Sequence, residues 1–332
     1  YYCFFMQHFS GTSYLGLDQH PSYLSWVKEG LDRYGTHYGG SRLSPQSPTL
    51  FAEVEAAFAK WTGAPAALLV SSGTTAGQLA VRFLNQHYSS IHFGPFAHPS
   101  SWWPAGVQYE DWDRWLNALQ YERAIGCTDA INPVAVAAPP WAKIWQETPS
   151  ALMIDDSHLL GCSGPKAGGS WSLLRQKFQG ELLINASLGK ALALPAGLLL
   201  GEKSAIQAIR KLPQFGGASP PAPAFLYAWL QARELIQQQY ARLDQHLSKM
   251  YPLVQQAPDL LEMVAGFPVI RLHQHNWVEQ LAAEGIVVSS FRYPQPDSER
   301  FSRIVLRADH SDEEVENLYV TLERLIEQTL NA

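Results

Sequence analysis

The chain has 332 residues, 46% hydrophobic and 16% charged, with 24 basic and 30 acidic side chains and a formal net charge of −6. This balance excludes a disordered polymer and opposes binding to phosphate backbones, so nucleic acid is not an expected partner. No apolar run approaches the roughly 18 residues of a membrane span, so no membrane is expected either, and the length suggests one large and one small domain.

Cys3, Cys127 and Cys162 lack CxxC spacing, which argues against a disulfide framework and a zinc site. A reducing cytoplasm is the expected compartment, with no metal. The opening Tyr1-Tyr2-Cys3-Phe4-Phe5-Met6 has no basic n-region and does not read as a signal peptide. Trp102, Trp103, Trp112 and Trp115 lie close together and are expected to serve packing or a subunit interface.

In chain order, a proline start and helical spacing predict a helix over 21–34, then a glycine-rich loop over 35–45. A second helix is expected over 49–61, stopped at Gly63, and Ala66-Ala67-Leu68-Leu69-Val70 reads as a buried strand. It runs into Ser71-Ser72-Gly73-Thr74-Thr75-Ala76-Gly77 and a renewed helical pattern. Such a turn either aims N–H groups at an anion or merely reverses the chain. Short strands are expected at 90–93, 134–140 and 151–154, the last leading into Asp155-Asp156-Ser157-His158. Ligands of open α/β sheets gather beyond strand ends, which is where these acids fall.

A loop over 161–170 precedes a strand at 181–185 that delivers Ser187-Leu188-Gly189-Lys190-Ala191. Lys190 either snorkels to water or is consumed in a Schiff base. Beyond an apolar run at 198–201 and a short helix at 204–211, Gly216-Gly217-Ala218-Ser219-Pro220-Pro221 forms a hinge before a long helix over 224–250. Short strands at 268–272, 286–288 and 303–306 then alternate with helices at 276–284 and 312–330, the last opened by Ser311-Asp312-Glu313-Glu314.

An early phosphate-type turn, Asp155 with His158, and Lys190 after a later strand are together what pyridoxal 5′-phosphate requires. Its aldehyde takes a lysine, its phosphate takes helix N–H groups, and its ring nitrogen takes a carboxylate. At Gly39-Gly40-Ser41-Arg42-Leu43, Ser72-Gly73, Asp155-Asp156-Ser157-His158, Ser187-Leu188-Gly189-Lys190-Ala191 and Arg303-Ile304-Val305-Leu306-Arg307-Ala308-Asp309-His310, the chain resembles the α-oxoamine synthase family of fold-type I pyridoxal-phosphate enzymes. The resemblance implies an α/β fold with a large, mainly parallel domain and a smaller α+β C-terminal domain. The expected division is an N-terminal arm over 1–40, a cofactor domain over 41–240 and a small domain over 241–332.

Carried over by residue, the resemblance implies that Lys190 forms the Schiff base, Asp155 pairs with the ring nitrogen and His158 bonds the phenolic oxygen. His98 would stack on the ring; Gly73, Thr74, Thr75 and Ser187 would meet the phosphate; Arg303, with Arg42, would meet substrate. Bidentate guanidinium chemistry suits a substrate carboxylate. This chain departs from the family at Gly77, where an asparagine is usual, and in a glycine run thinned to Leu192, Leu194, Pro195 and Ala196. The implied activity is condensation of a small amino acid with an acyl-CoA thioester, with decarboxylation, in a homodimer. An aminotransferase or a small-amino-acid lyase would use the same residues, and a scaffold that had lost its chemistry would not need Lys190.

Overall fold

The computed structural model describes residues 6–121, 123–147, 149–293 and 295–331, so Cys3 lies outside the described residues. The chain runs β1 (Gln7–Phe9), α1 (Pro21–Tyr34), α2 (Leu50–Thr62), β2 (Ala66–Val70), α3 (Gly73–His87), β3 (Ser90–Phe93), β4 (Val107–Gln108), α4 (Trp112–Leu119) and β5 (Ala124–Asp129). It continues through α5 (Trp141–Glu147), β6 (Ala151–Asp155), α6 (Trp171–Lys177), β7 (Glu181–Ser187), β8 (Gly197–Gly201), α7 (Lys203–Arg210), α8 (Pro213–Gly217), α9 (Pro223–Gln231) and α10 (Arg233–Gln255). The last elements are β9 (Leu261–Met263), β10 (Val269–Leu272), α11 (Trp277–Ala283), β11 (Ile286–Arg292), β12 (Arg300–Val305) and α12 (Asp312–Leu330).

These elements form two compact units. Of the described residues, the larger comprises those within Leu17–Ile131 and Ala138–Ile236; the smaller takes those up to Gly16, Asn132–Ala137, and those from Gln237 onward. The N-terminal segment joins the C-terminal unit because β1 pairs in parallel with β11.

The larger unit is built on a seven-stranded sheet of order β2-β8-β7-β6-β5-β3-β4. All pairings are parallel except those of β8, which is antiparallel to both neighbours. Ala151, Leu152, Met153 and Ile154 of β6 are each at most 1% exposed, as expected of a parallel strand covered on both faces. Leu79, Ala80 and Leu84 of α3 pack in the same buried cluster as Leu68, Ile125, Met153 and Leu183 of the sheet. The parallel strands thus end on one edge, where sequence placed the candidate acids and lysine.

Two expectations are corrected here. Residues 134–140 form no strand: Pro133, Pro139 and Pro140 withhold N–H groups, Val136 sits at φ 49°, and a single bridge joins Asn132 to Ala137. The strand of that region is β5, whose Gly126, Thr128 and Asp129 interrupt the apolar pattern although the strand is buried throughout. The long helix over 224–250 is two helices, α9 and α10, divided at Ala232. Trp115 is fully buried and donates Nε1–H to the His92 carbonyl at 2.9 Å, with Trp112 edge-on against it, so these two tryptophans serve packing.

The smaller unit carries a five-stranded sheet of order β1-β11-β12-β10-β9, antiparallel apart from the β1–β11 pair. Ser311 and Glu314 form a reciprocal capping box at the start of α12, satisfying orphan N–H groups of the first turn. Among the described residues, no helix is long and apolar enough to cross a membrane.

Candidate active site

The turn after β2 is held by its own hydroxyls. Ser72 caps α3, its Oγ accepting the Thr75 N–H at 3.1 Å, and Thr75 Oγ1 lies 3.0 Å from both Ser71 Oγ and Ser72 Oγ. The Ala76 N–H is taken by the Ser72 carbonyl. Gly73 and Thr74 head the first turn, where helix geometry supplies no intrahelical acceptor, and the Thr74 side chain is exposed. Gly73 is there for close approach: a Cβ would come within 2.8–2.9 Å of Ser187 N, Cα and Cβ. A Cβ on Gly197 would meet the Ser72 carbonyl oxygen at 2.0 Å. The turn is therefore pressed against the ends of β7 and β8, which brings Gly73 beside Ser187.

At the neighbouring strand ends, β5, β6 and β7 place Asp129, Asp155 and Asn185 in register across the sheet. Residues so paired share a face of the sheet. Asp155 is clamped: Oδ1 accepts the Ser157 N–H at 2.9 Å and Oδ2 accepts Asn185 Nδ2–H at 2.7 Å. Ser157 Oγ in turn accepts the Ser187 N–H at 2.7 Å, locking the β6 and β7 exits together. The next residue, His158, has Nε2 2.9 Å from Lys190 Nζ. In this geometry a lysine ammonium donates and Nε2 accepts.

Lys190 rides on a tight loop whose neighbours Leu188, Ala191, Leu192 and Leu194 are all at most 2% exposed. Leu188 N–H bonds the Ala196 carbonyl, Leu194 N–H the Leu188 carbonyl, and Tyr23 Oη donates to the Ala193 carbonyl from α1. Ala193 adopts φ 48°, a conformation that disfavours any residue with a Cβ by about 1–2 kcal/mol. This strained corner falls within the thinned glycine run. The apolar anchors hold the loop while the lysine side chain stays partly accessible.

His98 begins a short turn after β3. Its Nδ1 accepts the Ser100 N–H at 3.1 Å, which puts the ring proton on Nε2, and burial holds its pKa below the usual histidine value, opposed by Asp155 and assisted by Lys190. The same residue's N–H donates to Asp129 Oδ1 at 2.9 Å. Burial, and next the Asp155 charge, push the Asp129 carboxyl well above the carboxylate range. Asp129 and Asn185 were missed by sequence reasoning. The available signal was a polar residue closing an otherwise small and apolar strand, visible at 129 only once β5 is known, while Asn185 lies two residues inside the end of β7. Asp156 faces inward, fully buried, its Oδ2 accepting the Ser170 N–H at 2.9 Å; burial raises its carboxyl to about 7.

Lys190, His158, Asp155, His98, Ser187 and the Gly73–Thr75 turn thus share one edge of the larger unit. Arg42 is engaged elsewhere in that unit. Its side chain is 5% exposed, Nη2 pairs with Glu55 Oε1 at 2.9 Å, and Nη1 donates to the Leu69 carbonyl at 2.8 Å. Arg303 lies on β12 of the smaller unit, where Nη1 donates to the Pro133 carbonyl at 3.0 Å and the buried Nε–H has no partner among the described residues.

An open α/β sheet with a lysine, a clamped carboxylate and a capped helix start gathered at one edge is the architecture of an α/β enzyme. The family model described as "Aminotransferase class I and II" matches residues 106–322, and the chain belongs to that family. The 8-amino-7-oxononanoate synthase of Nitrosomonas eutropha is 27% identical over 96% of this chain and 89% of its own length. Among solved structures, a Sphingomonas wittichii serine palmitoyltransferase superposes with a TM-score of 0.79 at 18% identity, covering 98% of this chain and 88% of that one. The 8-amino-7-oxononanoate synthase of Francisella tularensis does so with a TM-score of 0.75 at 21% identity, covering 98% and 99%. These relatives bear out the resemblance to the α-oxoamine synthases and the fold-type I architecture expected from the motifs.

Proposed function

We propose that this chain is a pyridoxal-phosphate-dependent acyltransferase that joins a small amino acid to an acyl-CoA thioester, releasing carbon dioxide and free CoA and leaving an aminoketone. The observation that carries the reading is the 2.9 Å pairing of Lys190 Nζ with His158 Nε2 beside the clamped Asp155. It is supported by likeness to an 8-amino-7-oxononanoate synthase along 96% of the chain.

The residues present fit the cofactor. Under this reading Lys190 holds it covalently, Asp155 meets the ring nitrogen, His158 the phenolic oxygen, and the neutral His98 ring its face. The head of α3, with Gly73, Thr74 and Thr75, and Ser187 opposite, receives the phosphate, an anion suited to a helix start. When bound, the cofactor supplies the electron sink that stabilises negative charge at the amino-acid Cα. Asp155 is oriented by the two N–H donors whose hydrogen bonds it accepts. Lys190 Nζ would serve as the general base for the Cα proton, with His158 Nε2 as its hydrogen-bond partner. The family resemblance keeps Arg303 as the residue for the substrate carboxylate, which a guanidinium suits. Arg42, already committed to Glu55 and Leu69, acts as a brace for its loop.

Homodimeric assembly and residence in the cytoplasm complete the proposal; a single-chain mass in light scattering would sink the former. The decisive assay measures free thiol from a panel of acyl-CoA thioesters with glycine, alanine or serine. Thiol release dependent on both substrates is expected. The family description favours a second reading, amino transfer, and transfer to a keto acid without thiol release would establish it instead.

A further inference from the structure

We propose that Asp129 is the positioning residue of this site, a hydrogen-bond acceptor that fixes the backbone of His98 and thereby sets the imidazole face. The inference rests on the cofactor reading above and extends it to a residue outside that set.

The geometry begins with the sheet. β3 and β5 pair in parallel through Phe93 and Cys127, and the ladder runs one step further, Gly94 N–H donating to the Cys127 carbonyl at 2.8 Å. Beyond Gly94 the chain leaves the sheet. On β5, the residue on the same side after Cys127 is Asp129, and its carboxylate catches the departing chain at the His98 N–H, 2.9 Å away. The side chain thus continues a ladder whose backbone partner has gone.

The two tethers fix both ends of the loop from Gly94 to His98. Within the following turn, His98 Nδ1 is held by the Ser100 N–H at 3.1 Å and lies 2.8 Å from Ser100 Oγ, so backbone position and ring orientation are coupled. Pro99 adds rigidity, because a residue before proline is confined to extended backbone, and His98 sits at φ −63°, ψ 141°. Asp129 is itself anchored by position: it is 7% exposed, in register with Asp155, and the Ala130 N–H closes on the Asp155 carbonyl at 2.8 Å.

The acceptor matters here more than a charge. Two adjoining carboxyls in a buried edge cannot both ionise cheaply. Asp155 has donors on both oxygens, whereas among the described residues the Asp129 carboxyl accepts the His98 N–H. Asp129 is needed here as the acceptor of one N–H, and an amide should replace it without loss.

The test uses the cofactor-loaded protein and three variants: Asp129→Ala, Asp129→Asn and His98→Ala. Cofactor affinity is read by equilibrium dialysis, and ring placement by visible circular dichroism of the lysine-bound cofactor. Asp129→Ala should weaken affinity at least tenfold and alter the dichroic band. Asp129→Asn should restore both to within about threefold of wild type, with the pH titration of the visible absorbance unmoved. In the His98→Ala background, Asp129→Ala should add less than a twofold further loss. Wild-type affinity and dichroism in Asp129→Ala would overturn the inference. So would a titration shifted by more than one pH unit in Asp129→Asn, a result that stands even if the alanine variant does not fold. Wild-type protein that binds no cofactor would overturn the cofactor reading and this inference together, which separates the two failures.

Discussion

Removing Glu55 should reveal what Arg42 does. The Glu55 carboxylate, 8% exposed, accepts Arg42 Nη2 at 2.9 Å, Arg210 Nη2 at 2.7 Å and the Leu69 N–H at 2.9 Å. Glu55→Ala leaves the Arg42 guanidinium, 5% exposed, without its counter-ion, and its buried Nε already lacks a partner among the described residues. Breaking a buried pair from one side costs about 3–5 kcal/mol, and the abandoned Leu69 N–H places this case toward the upper end. Arg210, one-third exposed, can turn to water and adds little. The urea unfolding free energy should fall by that amount and the thermal midpoint by roughly 10 °C. Arg42→Met together with Glu55→Leu should recover more than half of the loss, because the pair is then replaced by packing. Catalytic constants per folded molecule should stay near wild type in the double variant. A loss below about 1 kcal/mol in Glu55→Ala, or a large rise in amino-acid KM in the double variant with stability intact, would refute the bracing role and return Arg42 to the substrate.

Gly73→Ala forces a Cβ into the Ser187 backbone, where contacts would be 2.8–2.9 Å, so the turn must shift. Cofactor affinity by dialysis should drop at least tenfold for a stability loss of about 1–3 kcal/mol. Lys190→Ala should abolish the visible band of bound cofactor while leaving the far-ultraviolet dichroism unchanged; a persisting band would remove Lys190 from its role. Asp156, raised by burial to about 7, gives a pH signature. Between its unfolded value near 4 and about 7 the folded protein holds a proton that the unfolded chain has released, so this group's contribution falls as pH rises through that window. The full span is about 4 kcal/mol, and Asp156→Asn should remove it. The variant's stability relative to wild type should therefore climb between pH 4.5 and 8 in urea titrations, and a flat difference would contradict the assignment.

The sequence by itself determined those features that repeat locally or end a strand conspicuously. The spacing of Tyr23, Phe51 and Phe58, the Ser311 cap, the apolar runs of β2, β6 and β7, and Lys190 with Asp155 and His158 after two of them were legible because each signal lies within one element. What only tertiary structure decided depends on pairing between distant segments. β5 hides its burial behind glycine, threonine and aspartate, whose place inside is fixed by β3 and β6 on either side. The proline-rich run after it looked more strand-like and forms none. Asp129 and Asn185 join Asp155 because parallel register aligns their strand ends. Arg42 meets Glu55 because α2 packs its buried carboxylate over the end of β2. Hydrophobic period is a property of the chain, whereas burial of a polar group is a property of its neighbours.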